Sequence, residues 1–350
     1  RFADDEYTKR YRIYTTITKA NQEAAYAALR RGLLDYDKRH GYRGPEGYIE
    51  LARAGQPDEQ IEEALAEVPD SDDIVAAVVL EANTKQVSAY LRGGEVATIT
   101  GEGLKFAQKM LDDKAAPNKR IRRGALIRVQ RDEKRNWQIL QLPEAEAALI
   151  AISPTDGRVH ALVGGFDFNR NKYNHVTQAW RQPGSSFKPF IYSAALEKGF
   201  TPATIVNDAP LVVDAAQTGG QTWEPHNYDN KYDGPIRMRV GLAKSKNMIS
   251  IRVLQAIGPK YAQDYITRFG FDADKHPPYL TMALGAGSVT VWQMAHGYAT
   301  FANGGYRIEP YLVQRIVDDR GNVLAQAQPA RAGDERLRVI DARNAFIMDS

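Results

Sequence analysis

Residues 21–36 carry Ala24, Ala25, Ala28, Leu29 and Leu33 at helical spacing, which predicts an amphipathic helix. Just before it, residues 11–16 (Tyr-Arg-Ile-Tyr-Thr-Thr) are β-branched and aromatic, a strand pattern. Residues 58–73 then hold eight acidic side chains and no basic one, predicting a solvated acidic helix and loop, with Pro69-Asp70-Ser71-Asp72-Asp73 as a linker. Beyond it the period shortens. Residues 74–81, 86–92 and 95–100 read as strands parted by Asn83-Thr84 and Gly93-Gly94 turns, 104–111 as a short helix, and 125–131 and 136–142 as two more strands. The order β-β-β-α-β-β suits a small five-stranded OB-like barrel.

From residue 147 the elements lengthen. Residues 147–153 and 158–164 flank Pro154-Thr155-Asp156-Gly157, a hairpin signal. Residues 187–196 form a helix apolar on nearly every face, so it is expected in a core. Helices follow at 237–244 and 248–257, the second stopped by Gly258-Pro259, and 311–317 with 323–325 make another hairpin. Residues 340–350 read as a helix opened by an aspartate cap. Hairpins mixed with buried helices predict an α/β (α+β) fold with an antiparallel sheet flanked by helices. The expected domains are 1–69 with 144–350, and an OB-like insertion at 70–143.

At 350 residues the length suits about two domains. The absence of cysteine excludes a disulfide framework and thiol catalysis. No run of eighteen apolar residues predicts a membrane span, and Arg1 is no start methionine, so the chain is expected to be a fragment cut at both ends. A net charge of +3 is too small for a nucleic-acid footprint. The cluster Lys119, Arg120, Arg122, Arg123, Arg128 and Arg131 could meet an anion, but no aromatic residue interleaves it, so a solvated loop is the expectation. The six histidines never fall at i, i+3 or i, i+4; surface or locally bonded roles are expected, with no metal and no cofactor.

The candidate chemistry begins at Gly184-Ser185-Ser186-Phe187-Lys188-Pro189-Phe190, which opens the apolar helix. Ser185 sits where free N–H groups and the helix dipole favour developing negative charge. Lys188 follows three residues on, on the same helical face. Its neighbours are apolar, and burial disfavours the charged amine, which yields the base a serine nucleophile needs. Alone, an S-x-x-K is weak, since a capping serine and a surface lysine give the same letters. Ser245-Lys246-Asn247 adds a second element, the one S-x-N of the chain, set between two predicted helices with a hydroxyl and an amide. A pair of helix caps would look the same.

Arg181-Gln182-Pro183-Gly184-Ser185-Ser186-Phe187-Lys188-Pro189 followed by Ser245-Lys246-Asn247 resembles the transpeptidase domain of penicillin-binding proteins. Tyr14-Thr15-Thr16-Ile17, Trp223-Glu224-Pro225-His226-Asn227-Tyr228 and Tyr298-Ala299-Thr300-Phe301-Ala302-Asn303-Gly304-Gly305 resemble the bifunctional class A members of the 1a type, which also carry an insertion where the OB-like barrel falls. The resemblance implies a serine D,D-transpeptidase that cross-links peptidoglycan stem peptides at the periplasmic face of the inner membrane. It implies Ser185 as nucleophile, Lys188 as its base, Ser245 as proton relay and Asn247 as a substrate contact. It further implies acylation by β-lactam antibiotics and an outer-membrane lipoprotein activator at the barrel. A penicillin-hydrolysing or penicillin-sensing relative would share S-x-x-K but lack the insertion. The family's third motif, K-[ST]-G, does not occur within the 350 residues, nor do the glycosyltransferase domain and membrane anchor of class A enzymes.

Overall fold

The computed structural model describes residues 10–51, 57–215 and 221–350. Two compact units divide the chain: residues 1–26, 148–164 and 173–350 form one, and 27–147 with 165–172 form the other.

In the larger unit, β1 (Arg12–Thr15) pairs antiparallel with β12 (Val313–Val317), which pairs with β13 (Val323–Gln326). The hairpin β8 (Leu149–Ile152) and β9 (Val159–Val163) joins this sheet through a parallel bridge between Arg158 and Tyr311. Thr16 fixes the junction, its hydroxyl donating to the carbonyl of Val159 at 2.8 Å. Helices placed within the described residues include α3 (Lys188–Glu197), α4 (Met238–Ala243), α5 (Asn247–Ile257), α6 (Pro259–Ile266), α7 (Val291–Ala302) and α8 (Ala342–Asp349). A second antiparallel pair, β10 (Ile205–Asp208) and β11 (Gly234–Arg237), leads into α4.

The apolar run at 187–196 becomes the centre of this core. Phe190, Ile191, Tyr192, Ser193, Ala194 and Ala195 of α3 are all buried. Phe190 stacks on Phe301 and meets Phe269 and Phe271 edge-on. Burying one such ring is worth about 2–3 kcal/mol. Ser193 among them donates to Asn344 Oδ1 at 2.9 Å, tying α8 to α3. Asp341 caps α8 by accepting from the Arg343 N–H, as its sequence predicts.

In the smaller unit, β3 (Val75–Ala82), β4 (Gln86–Leu91), β5 (Val96–Thr100), β6 (Ala125–Arg131) and β7 (Trp137–Leu140) are the five expected strands. A short β2 (Gly47–Tyr48) makes the sheet six-stranded, in the order β2-β6-β3-β4-β5 with β7 on β6. The expected short helix is a 3-10 helix, Gly101–Met110. The division between residues 26 and 27 falls within helix α1 (Lys19–His40), and α2 (Pro57–Ala66) buries Ile61 and Leu65 (the side chain of Asp58 lies outside the described residues).

Two expectations change here. The segment expected as a linker is a built turn: Asp70 accepts from the Ala76 N–H at 2.9 Å, and buried Ser71 receives Arg30 through its carbonyl and hydroxyl. A buried guanidinium needs such acceptors, and this turn supplies them. The basic cluster is not one solvated loop either. Arg128 is buried in a bidentate pair with Glu46, while Arg122 lies over Tyr48 and Arg131 over Trp137. Those aromatics come from neighbouring strands, where linear order does not show them.

Candidate active site

The turn that carries Ser185 is a 3-10 helix, Gly184–Phe187, running directly into α3, where Pro189 in the first turn tolerates the missing N–H. Gly184 has a φ of +59°, left-handed backbone that favours glycine. Gly285 backs it closely, so that a Cβ there would fall 2.2 Å from the Gly184 carbonyl oxygen. The turn is held further by Tyr298, whose hydroxyl donates to the Ser186 carbonyl at 2.7 Å, and by Ser186 donating to the Pro183 carbonyl at 2.6 Å. Ser185 itself is exposed, and its hydroxyl makes no hydrogen bond among the described residues.

Lys188, three residues on, is 1 % exposed. Its Nζ lies 2.7 Å from the Ser245 carbonyl oxygen, 2.8 Å from Asn247 Oδ1 and 3.1 Å from Ser245 Oγ. The structure thus brings Lys188, Ser245 and Asn247 together. Ser185 is tied to Lys188 through the backbone, the Lys188 N–H donating to the Ser185 carbonyl, and not through the side chains. Burial pushes the Lys188 ammonium down from 10.5 to about 8, so about a tenth of it is neutral at pH 7 and half at pH 8. An uncharged amine has two N–H bonds and one lone pair. The Ser245 carbonyl and Asn247 Oδ1 can only accept, so they take the two N–H groups and leave the lone pair facing the Ser245 hydroxyl.

Ser245 holds a φ of +54°, a strained conformation for a non-glycine residue at a cost of about 1–3 kcal/mol. The strain lets one residue present both its carbonyl and its hydroxyl to the amine. The turn is locked by the Ser245 and Lys246 N–H groups donating to the Leu242 and Gly241 carbonyls at the end of α4. Asn247 begins α5, and its Nδ2 donates to the His226 carbonyl at 2.8 Å.

The sequence profile of the penicillin binding protein transpeptidase domain matches residues 147–345. The chain belongs to this family. A second profile, the penicillin-binding protein OB-like domain, matches residues 42–145. Among relatives, penicillin-binding protein 1A of Neisseria lactamica is 44% identical over 99% of this chain and 44% of its own length. Penicillin-binding protein 1A of Pseudomonas aeruginosa is 41% identical over 98% of this chain and 42% of its own. The chain therefore spans less than half the length of these two relatives. The crystal structure of penicillin-binding protein 1A from Haemophilus influenzae superposes with a TM-score of 0.88 at 34% identity, over 97% of this chain and 53% of that one. PonA1 from Mycobacterium tuberculosis in complex with penicillin V shares the fold, with a TM-score of 0.56 at 21% identity over 98% of this chain and 63% of that one.

The four motif residues are supported by others in the same unit. Tyr298 and Asn227 lie inside stretches that resemble class A members, yet their contacts have no linear signature. His276 departs from the surface or locally bonded role expected of isolated histidines. It is 1 % exposed, both ring nitrogens lack a hydrogen-bond partner, and the ring stacks on Phe187 at 4.7 Å with 10° between the planes. His296 is buried as well. Flanking aromatic and glycine backbone exclude water from His276, and burial pushes it from 6.5 down to about 4, with Asp272 opposing weakly. The unfolded chain therefore binds a proton between pH 6.5 and 4 that the folded one refuses. Stability is full above the unfolded value and falls as pH drops toward the folded one, by about 3 kcal/mol in all. His276→Phe keeps a ring under Phe187 and removes the titration. Urea unfolding at pH 7 and pH 4.5 should show a smaller loss in that variant than in the wild type; an equal loss would remove His276 from the account.

Proposed function

We propose that this chain carries the acyl-transfer site of a serine-type peptidoglycan D,D-transpeptidase that β-lactams acylate. The observation that carries the reading is the buried Lys188 amine, bonded to Ser245 and Asn247, one turn behind an exposed Ser185. In the first step the Ser185 hydroxyl oxygen bonds to the carbonyl carbon between two terminal D-alanines, and its proton passes to the Lys188 amine by way of the Ser245 hydroxyl that faces the lone pair. The C–N bond to the last D-alanine then breaks, and Lys188 returns the proton to the departing nitrogen through the Ser245 hydroxyl. The Ser185 N–H serves the developing oxyanion, a contact worth on the order of 3 kcal/mol. Asn247 Nδ2 has one N–H left beyond its bond to His226 with which to hold the donor peptide. An amine from a second stem peptide takes the acyl group, loses a proton and frees Ser185.

A β-lactam supplies its ring amide in place of the D-alanyl bond, and the leaving nitrogen stays tethered. The test is mass spectrometry of benzylpenicillin-treated protein, on the chain continued past Ser350 because no K-[ST]-G triplet occurs within these residues. Trypsin does not cut at Lys188 before Pro189, so the adduct should appear on the peptide from Gln182 to Lys198. An adduct confined to any other peptide would overturn the reading.

The relatives support a membrane-anchored setting at the periplasmic face, although among the described residues no helix is long and apolar enough to cross a membrane. The OB-like unit is the part we assign to an outer-membrane lipoprotein activator. Removing that unit should leave penicillin acylation intact and abolish activation.

A further inference from the structure

Helix α5 begins at Asn247, and the residue before it cannot cap it. Lys246 occupies the cap position and has no acceptor in its side chain. The first N–H groups of α5 are satisfied from twenty residues away, by Asn227 Oδ1, at 2.8 Å from the Asn247 nitrogen and 3.4 Å from that of Met248. A carboxamide can turn either end toward a helix, and only its oxygen end caps one. Something must therefore fix which end Asn227 presents.

Two acceptors do so: the Lys231 carbonyl, 2.8 Å from Asn227 Nδ2, and Asp208, the last residue of β10, which is fully buried. Its Oδ1 accepts from Asn227 Nδ2 at 2.7 Å. A carboxylate only accepts, so it holds the nitrogen end of Asn227 and leaves the oxygen end for α5. Its other oxygen accepts from the Asp233 N–H at 2.9 Å and lies 3.4 Å from the ammonium of Lys246, the middle residue of the S-x-N motif. Lys246 is 5 % exposed and also reaches Asp229 and Asp233 at 3.4 and 3.7 Å. One carboxylate thus grips the S-x-N turn twice, through its middle side chain and through the cap on its last residue.

We propose that Asp208 is a positioning residue for the Ser245–Asn247 turn, acting through the amide of Asn227. The inference rests on the acyl-transfer reading above. Without Asp208 the Asn227 amide keeps only the Lys231 carbonyl on its nitrogen end and Lys246 loses its fully buried partner, so the start of α5 shifts and Ser245 and Asn247 move off the Lys188 amine. Misplacement of about 1 Å at a reacting centre costs on the order of 10²-fold in rate.

The test is stopped-flow acylation by a chromogenic β-lactam on the chain continued past Ser350, separating the dissociation constant of the first complex from the acylation rate constant. Asp208→Asn should slow acylation by about 10²-fold and change the dissociation constant by less than about threefold. Asp229→Asn removes a carboxylate that faces Lys246 but not Asn227, and should acylate like the wild type. Asn227→Ala, which leaves the Asp208–Lys246 pair in place, should slow acylation as Asp208→Asn does, and it decides the matter if Asp208→Asn fails to fold. Wild-type acylation is the control: without it the acyl-transfer reading itself fails. With it, either a wild-type rate in a folded Asp208→Asn or Asn227→Ala protein, or an Asp229→Asn rate as slow as that of Asp208→Asn, would overturn the proposal.

Discussion

Ser185→Ala protein treated with benzylpenicillin should carry no covalent adduct while keeping its melting temperature. The side chain is exposed and its hydroxyl bonds to nothing among the described residues, so its loss removes no internal contact. Substitutions of that kind usually stay within about 0.5 kcal/mol in stability. The chemical loss is total, because an adduct needs an oxygen to hold it. A neighbouring hydroxyl offers no substitute: Ser186 is committed to the Pro183 carbonyl and its own carbonyl to Tyr298. Intact-protein mass spectrometry and a thermal melt check the two halves together. An adduct of unchanged yield in Ser185→Ala would place the nucleophile elsewhere.

Lys188→Met should fold and acylate at least about 10³-fold more slowly than the wild type. Methionine fits the buried, unbranched channel but brings no base, and a serine hydroxyl is a poor nucleophile until its proton is taken. The Ser245 carbonyl and Asn247 Oδ1 also lose their donor, which costs roughly 1–3 kcal/mol for each buried group left unsatisfied. Lys188→Arg should be no better, since a guanidinium stays protonated at any working pH and cannot accept the proton. A Lys188→Met rate within tenfold of the wild type would assign the base to another residue.

Much of this site could be read from the linear chain, and the reason is the apolar run that follows Ser185. A lysine set among Phe187, Pro189, Phe190 and Ile191 has nowhere polar to go except inward, and it is found buried. The S-x-N turn was legible as a break between two helices. Its left-handed Ser245 was not, because only the Lys188 amine gives a reason for that strain. The cap supplied by Asn227 escaped for a different reason: a cap is sought immediately before its helix, and this one arrives from a separate loop. His276 was read as an isolated histidine, and its stacking on Phe187 exists only after folding. In the fold, the pair β10 and β11 was missed because twenty-five residues separate its strands, far beyond a hairpin loop. Helix α7 should have been found, since Thr290 and Gln293 form a capping box visible as T-x-x-Q ahead of an apolar run. In the smaller unit the alternation of β3 to β7 sufficed for the strands. The added β2 is two residues long, below what periodicity can detect.

Lys188 unites these observations, and its charge state is the central claim. The pH dependence of the rate constant for benzylpenicillin acylation of Ser185 tests it most directly, on the chain continued past Ser350. Neutral Lys188 is the active form, so the rate should rise about tenfold per pH unit below the midpoint and level off above it. The midpoint should fall near pH 8, where burial places the amine. A rate that is flat across this range, or one still climbing toward pH 10.5 as an ordinary solvated lysine would require, would contradict the account.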